Sequence, residues 1–159
     1  MKQTCIRMVT LVMLIAAVGM AAAADKKDMG GWEIDGKYNR LYAADELDSF
    51  KGSVVSVKKI TPMPGMSPGI AVIVEDRGGE DVLVHIGPQW FVKRNDLGLR
   101  KGDKVKVKGV WADIDEQEIF MASKIKRSEF SEYKIRRTSD GKPFWAMSPE
   151  ELAKERQDQ

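Results

Sequence analysis

Val82-Leu83-Val84-His85-Ile86-Gly87-Pro88-Gln89-Trp90-Phe91 is the stretch on which the reading of this chain turns. Its β-branched run predicts a strand, and the strand must stop at Gly87-Pro88 because proline has no N–H to give a sheet ladder. The one histidine of the chain lies inside that strand, and two adjacent aromatics follow its end. Together these residues describe a strand that finishes at a specialised rim.

Working outward, residues 70–74 are an almost continuous apolar run, a buried strand that Arg77-Gly78-Gly79-Glu80 turns back as a hairpin. Before it, from Gly52, Val55 and Val57 alternate with Ser56 and Lys58 as far as Ile60, the period of a strand with one wet face. Between these two strands residues 61–69 hold three prolines and two glycines, which propagate neither helix nor sheet and predict a shaped loop. Beyond the rim, residues 90–99 predict a short helix or loop stopped at Gly98, and Lys101-Gly102-Asp103 a turn. Lys104-Val105-Lys106-Val107-Lys108-Gly109-Val110-Trp111 then alternates, with lysines outward and Val105, Val107 and Trp111 inward. After a turn over 113–117, a fifth strand over 119–125 places Ile119, Met121 and Ile125 on one face and Phe120 and Ala122 on the other. Five strands with a longer third connection, and no long amphipathic helix to cover an open sheet, predict an all-β fold. The architecture expected is a five-stranded, Greek-key barrel of the oligonucleotide/oligosaccharide-binding (OB) type. Gly52 and Gly109 supply the bends that closing a small barrel requires.

The barrel is expected over 51–127, with a docking segment over 25–50 that includes Trp32-Glu33-Ile34-Asp35-Gly36. Residues 128–159 form a C-terminal extension. In it Tyr133-Lys134-Ile135-Arg136-Arg137 reads as an extra strand, and Asp140-Gly141-Lys142-Pro143-Phe144-Trp145 as a turn with two aromatics. Ser148-Pro149-Glu150-Glu151 starts a helix, with serine as cap and glutamate three residues later. Residues 1–24 have the form of a signal peptide: Lys2 and Arg7, an apolar run over 8–20, and Ala21-Ala22-Ala23-Ala24 as the cleavage site. The run is roughly a dozen residues, short of the ~20 that span a bilayer, so export with cleavage after Ala24 is expected.

Cleavage alters the charge balance. The whole chain has 26 basic and 24 acidic residues, and Lys2 and Arg7 leave with the segment, so the remainder is formally neutral. A protein that binds nucleic acid chiefly through phosphates carries a basic surplus, which disfavours that partner. Cys5 leaves too, so no disulfide staples the fold.

Three candidate sites emerge. His85 with Met63 and Met66 offers imidazole and thioether, the donors that suit copper; the same residues also read as a hydrogen-bonded rim histidine with gap-filling thioethers. Trp90, Phe91, Trp111, Phe144 and Trp145 could stack bases or sugars, or seal the barrel with Trp111 inside it. A basic stripe combines Arg100, Lys101, Lys104, Lys106 and Lys108 with Lys124, Lys126 and Arg127 on the next strand. Such lysines solvate a strand and block edge pairing, or form a local patch for an anionic partner such as single-stranded nucleic acid. No nucleophile–base pair can be assembled, and Asp76, Glu80, Asp81, Asp113, Asp115 and Glu116 all fall in turns. No enzyme is expected, and no cofactor beyond the copper reading.

The order Tyr38-Asn39-Arg40-Leu41-Tyr42, Gly52-Ser53-Val54-Val55, Gly65-Met66-Ser67-Pro68-Gly69, Val84-His85-Ile86-Gly87-Pro88-Gln89-Trp90, Lys101-Gly102-Asp103 and Asp140-Gly141-Lys142-Pro143-Phe144-Trp145 resembles small exported bacterial OB-fold proteins. It is similar to the C-terminal domain of magnetosome-associated periplasmic proteins and, more distantly, to the bacterial OB-fold envelope stress family. The resemblance implies a periplasmic location and brings no catalytic set with it. The function expected is a non-enzymatic binding module that touches an envelope protein, of redox or metal-handling kind, through Met63, Met66, His85, Trp90, Phe91 and Trp145. Direct binding of a metal ion or an anionic ligand at the barrel is the other reading.

Overall fold

A computed structural model describes residues 28–157, so the signal segment expected over 1–24 lies outside the described residues. The elements in chain order are β1 (Asp48–Ile60), β2 (Gly69–Asp76), β3 (Asp81–Pro88), α1 (Arg94–Leu97), β4 (Lys104–Ile114), β5 (Gln117–Ser128), β6 (Ser131–Lys134) and α2 (Pro149–Gln157). Single 3-10 turns occupy Asn39–Leu41 and Phe144–Ala146.

Neighbouring strands run β3-β2-β1-β4-β5-β6, and a parallel pairing of β3 with β5 closes the first five into a ring. This is the five-stranded, OB-like barrel that the strand count predicts. Closure leaves β1 serving two neighbours. Its outer part pairs with β4 and its inner part with β2, and the extra residue Val55 bulges between Val54 and Ser56 to bend it. Gly109 makes a second bend, since a Cβ there would lie 2.0 Å from the carbonyl oxygen of Met121. The barrel interior is aliphatic, with Val54, Val72, Val74, Val84, Val107 and Ile125 all buried.

Three sequence expectations need correction. β1 begins at Asp48, several residues before the period of two becomes visible, because Phe50 turns inward against Phe120 at 5.0 Å. Trp111 keeps its row beside Phe50 and Phe120 but is not enclosed. It is 37% exposed and its indole N–H donates to Asp48 Oδ2, so it closes the margin of the core. The extra strand expected over 133–137 occupies Ser131–Lys134 instead. The carbonyl of Ser123, bulged out of β5, accepts from the N–H groups of both Ile135 and Arg136 and draws the chain off the sheet there.

Both faces of β5 are buried, which alternation alone does not predict. Phe120 packs towards Phe50 and Trp111, whereas its neighbour Met121 stands in register with His85 under a second layer. That layer is built from the two chain flanks. Trp32 and Tyr38 of the N-terminal segment and Ile135 and Trp145 of the extension are all buried in the common core cluster. α2 begins at the reciprocal capping box foreseen for it: Ser148 Oγ accepts from the Glu151 N–H, and Glu151 Oε2 from the Ser148 N–H. It buries no residue.

Arg136 joins the flanks. It is 4% exposed, donates to Asn39 Oδ1 at 2.7 Å and to the Gly141 carbonyl at 3.2 Å, and lies between the rings of Tyr42 (4.8 Å) and Trp145 (5.0 Å). Asn39 Nδ2 in turn donates to the carbonyls of Trp32 and Glu33. Burial pulls the guanidinium below its ordinary pKa, yet an arginine at neutral pH stays charged. Two aromatic faces and oxygen acceptors therefore stand in for water. Arg136→Met should destabilise the protein by about 3 kcal/mol, since it removes the cation and strands the buried Asn39 amide oxygen. Arg136→Lys should recover only part of this, because an ammonium lacks the planar fork; urea unfolding of the three proteins measures it.

Candidate functional site

His85 is not a rim residue. It is 4% exposed in the middle of β3, flanked by Ala71 of β2 and Met121 of β5, with the Tyr38 ring stacked over it at 5.9 Å. The Tyr38 hydroxyl lies 3.2 Å from His85 Nδ1. Burial holds that phenol well above its usual pKa, with the neighbouring Arg136 pulling the other way, so it keeps its proton. The phenol and the imidazole thus satisfy one another through a single buried hydrogen bond. Burial also lowers the His85 pKa to about 4. His85 also lines a small cavity of about 290 Å³ together with Lys58, Thr61, Leu83 and Ile114, among others.

The expected soft-metal partners Met63 and Met66 lie on the turned loop between β1 and β2. Met66 N–H donates to the Met63 carbonyl, closing a turn over Pro64-Gly65, and both thioethers pack partly buried against the core cluster. The loop is pinned to the N-terminal segment by Trp32 Nε1 donating to the Ser67 carbonyl and by Ser67 N–H donating to the Gly30 carbonyl. Among the described residues no group of three His, Cys, Asp or Glu is placed to hold a metal ion.

The aromatics form one continuous line. Trp90 meets Phe91 at 6.4 Å, Phe91 meets Trp145 at 5.9 Å, Trp145 meets Trp32 at 5.7 Å, and Trp32 meets Tyr38 at 4.8 Å. Gly87, one residue before the end of β3, is glycine because a Cβ there would come within 2.8 Å of the Trp145 ring. Trp145 is held further by donating Nε1 to the Trp32 carbonyl at 2.9 Å. Of the rim expected from sequence, His85 and Trp145 therefore face inward, Phe91, Met63 and Met66 are half-buried, and Trp90 is 45% exposed.

The basic stripe changes most on folding. Lys51 of β1, Lys106 of β4 and Lys126 of β5 are direct cross-strand partners, continued by Glu132 of β6. Two residues along, Lys108, Lys124 and Lys134 form a second such row. Glu132 reaches Lys124 at 3.3 Å, Arg127 reaches Asp103 at 3.6 Å, and Lys104 Nζ donates to Ser53 Oγ. Lys51, Lys106, Lys108, Lys126 and Lys134 have no ion pair among the described residues. A groove of about 770 Å³ beside the rows is lined by Lys51, Arg77, Lys104, Lys106, Lys126 and Arg127 against Glu75, Asp76 and Glu129. Arg100 and Lys101 stand in the turn before β4 rather than on this face. Lys51, Arg77 and Lys134 were not foreseen; the first two lay at the margins of strands, and Lys134 counts only once β6 is known to border β5.

The His85 pKa yields a signed expectation. The folded value, about 4, lies below the unfolded value of about 6.5, so the unfolded chain binds the extra proton. Stability is full above pH 6.5 and falls as pH drops towards 4, by about 2 to 3 kcal/mol at pH 4.5 from this group. Urea midpoints at pH 7 and 4.5 measure the fall, and His85→Gln, which still accepts from Tyr38, should remove that share of it.

Compared with known protein families, residues 46–130 match the MamS/MamX magnetosome protein family, a span that runs from the start of β1 to the β5–β6 hairpin. No curated protein matches the chain. The matched span is more than half of the 159 residues and contains all five strands of the closed ring, so the chain belongs to the MamS/MamX magnetosome protein family.

Proposed function

We propose that the protein is an exported, non-enzymatic interaction module that holds an anionic partner against the outer face of β1, β4 and β5. The observation that carries this reading is the pair of lysine rows, Lys51–Lys106–Lys126 and Lys108–Lys124–Lys134. Like charges directly opposite one another destabilise a sheet. Lysines on an edge strand are explained by edge protection, but β4 lies between β1 and β5 in a closed ring and has no free edge. An anionic ligand supplies the missing compensation. The neutral balance of residues 25–159 makes this a local concentration of charge rather than a basic protein.

The proposal gives His85 and the aromatic line a structural part. An envelope protein at the rim is the other macromolecular contact the surface supports, with Trp90 at 45% exposure as its anchor. The whole core cluster falls within residues 29–146, so the chain from Asp25 onward is the form to test. Lys106→Gln combined with Lys126→Gln should leave the thermal midpoint unchanged or raise it slightly, because repulsion is relieved. The same variant should elute from immobilised dextran sulfate at clearly lower salt. Trp90→Ala is the control and should elute with the parent; equal elution of the lysine variant and the parent would remove the proposal.

A further inference from the structure

The β5–β6 hairpin turns over only Glu129 and Phe130, and Phe130 is 97% exposed at its tip. Two-residue turns favour small and polar residues, and a solvent-facing phenyl ring there contributes nothing to the fold. Its surroundings are charged: Phe130 shares a concavity of about 490 Å³ with Lys124, Lys134 and Arg137, set among Glu129, Glu132 and Glu155, and Glu129 also borders the lysine groove on the other side. The hairpin thus projects an apolar ring between the lysine groove and a hollow of mixed charge.

We infer that the anionic partner is a phospholipid bilayer, on which the lysine rows meet acidic headgroups and Phe130 enters the interfacial layer. The inference rests on the basic-face reading above and names its partner class. Two features favour a bilayer over a nucleic acid strand. The lysines form a two-dimensional array, about 10 Å across three strands and about 7 Å along them, which fits a plane of charges rather than a single line of phosphates. The aromatic ring stands on a projecting tip and not on a groove floor, where bases would stack. A ring at the membrane–water boundary beside basic side chains is the arrangement that binds anionic surfaces reversibly. Glu129 and Glu132 lie close by and temper the attraction, as suits a reversible contact.

Co-sedimentation of the chain from Asp25 with vesicles decides the matter. Binding to vesicles of phosphatidylglycerol and phosphatidylcholine, weakened at least about tenfold on phosphatidylcholine alone and by raised salt, is the result expected. Phe130→Ser should weaken vesicle binding by about tenfold while leaving the elution salt on dextran sulfate unchanged. Retention on dextran sulfate without vesicle binding overturns the bilayer inference and leaves the basic-face reading standing. Loss of both overturns both. Vesicle binding that Phe130→Ser does not alter, or tighter binding to single-stranded DNA or poly-glutamate than to the vesicles, overturns the inference as stated.

Discussion

A buried cation with no carboxylate partner among the described residues holds this molecule together. Arg136 is solvated by two aromatic faces, an amide oxygen and a backbone carbonyl, and those groups come from both ends of the described chain. Charge that has left water must be met by polar or polarisable groups at close range, or burial becomes prohibitive. The consequence is that Asn39, Tyr42 and Trp145 cannot move independently. Asn39 carries the constraint on to Trp32, and the Trp32 carbonyl also accepts from Trp145. The flanking segments are therefore one layer, bonded to each other as well as to the barrel.

That layer explains why the barrel strands have two dry faces. A five-stranded ring needs one apolar face, the inner one. Here β5 also buries Met121, and β3 buries His85, beneath Tyr38 and the tryptophans. A polar imidazole in that position needs a partner, and the Tyr38 hydroxyl supplies it. The family match over residues 46–130 takes in the barrel and stops short of most of the layer.

The remaining surface is divided by the same geometry. Where the flanks do not cover the sheet, the outer face of β1, β4 and β5 shows its lysines. Their face-to-face alignment depends on one residue. Along the far part of β4, Trp111 pairs with Phe120 and Val110 with Met121; continued without interruption, that register would set Lys106 against Ile125 and Lys108 against Ser123. The bulge at Ser123 advances the pairing by one, so lysine meets lysine. The Ser123 hydroxyl donates to the Lys108 carbonyl and its own carbonyl accepts from two N–H groups, so the bulge is firmly held.

The sequence by itself determined the five barrel strands and the barrel, but not where β1 and β6 begin. Period-two alternation, the proline-rich loop over 61–69, the Gly87-Pro88 stop and the capping box at Ser148 are local, and each acts through neighbours a few residues away. Lysine alternation on β4 was legible for the same reason. Only the tertiary structure decided that His85 lies under Tyr38, 47 residues distant in the chain, that Arg136 bonds Asn39 across 97 residues, and that Trp111 closes the core margin instead of filling it. It alone set Lys51, Lys106 and Lys126 side by side and left Phe130 projecting beside them. Alternation tells which face a side chain takes but not what covers that face. Cross-strand register, moved by a single bulged residue, tells which charges meet.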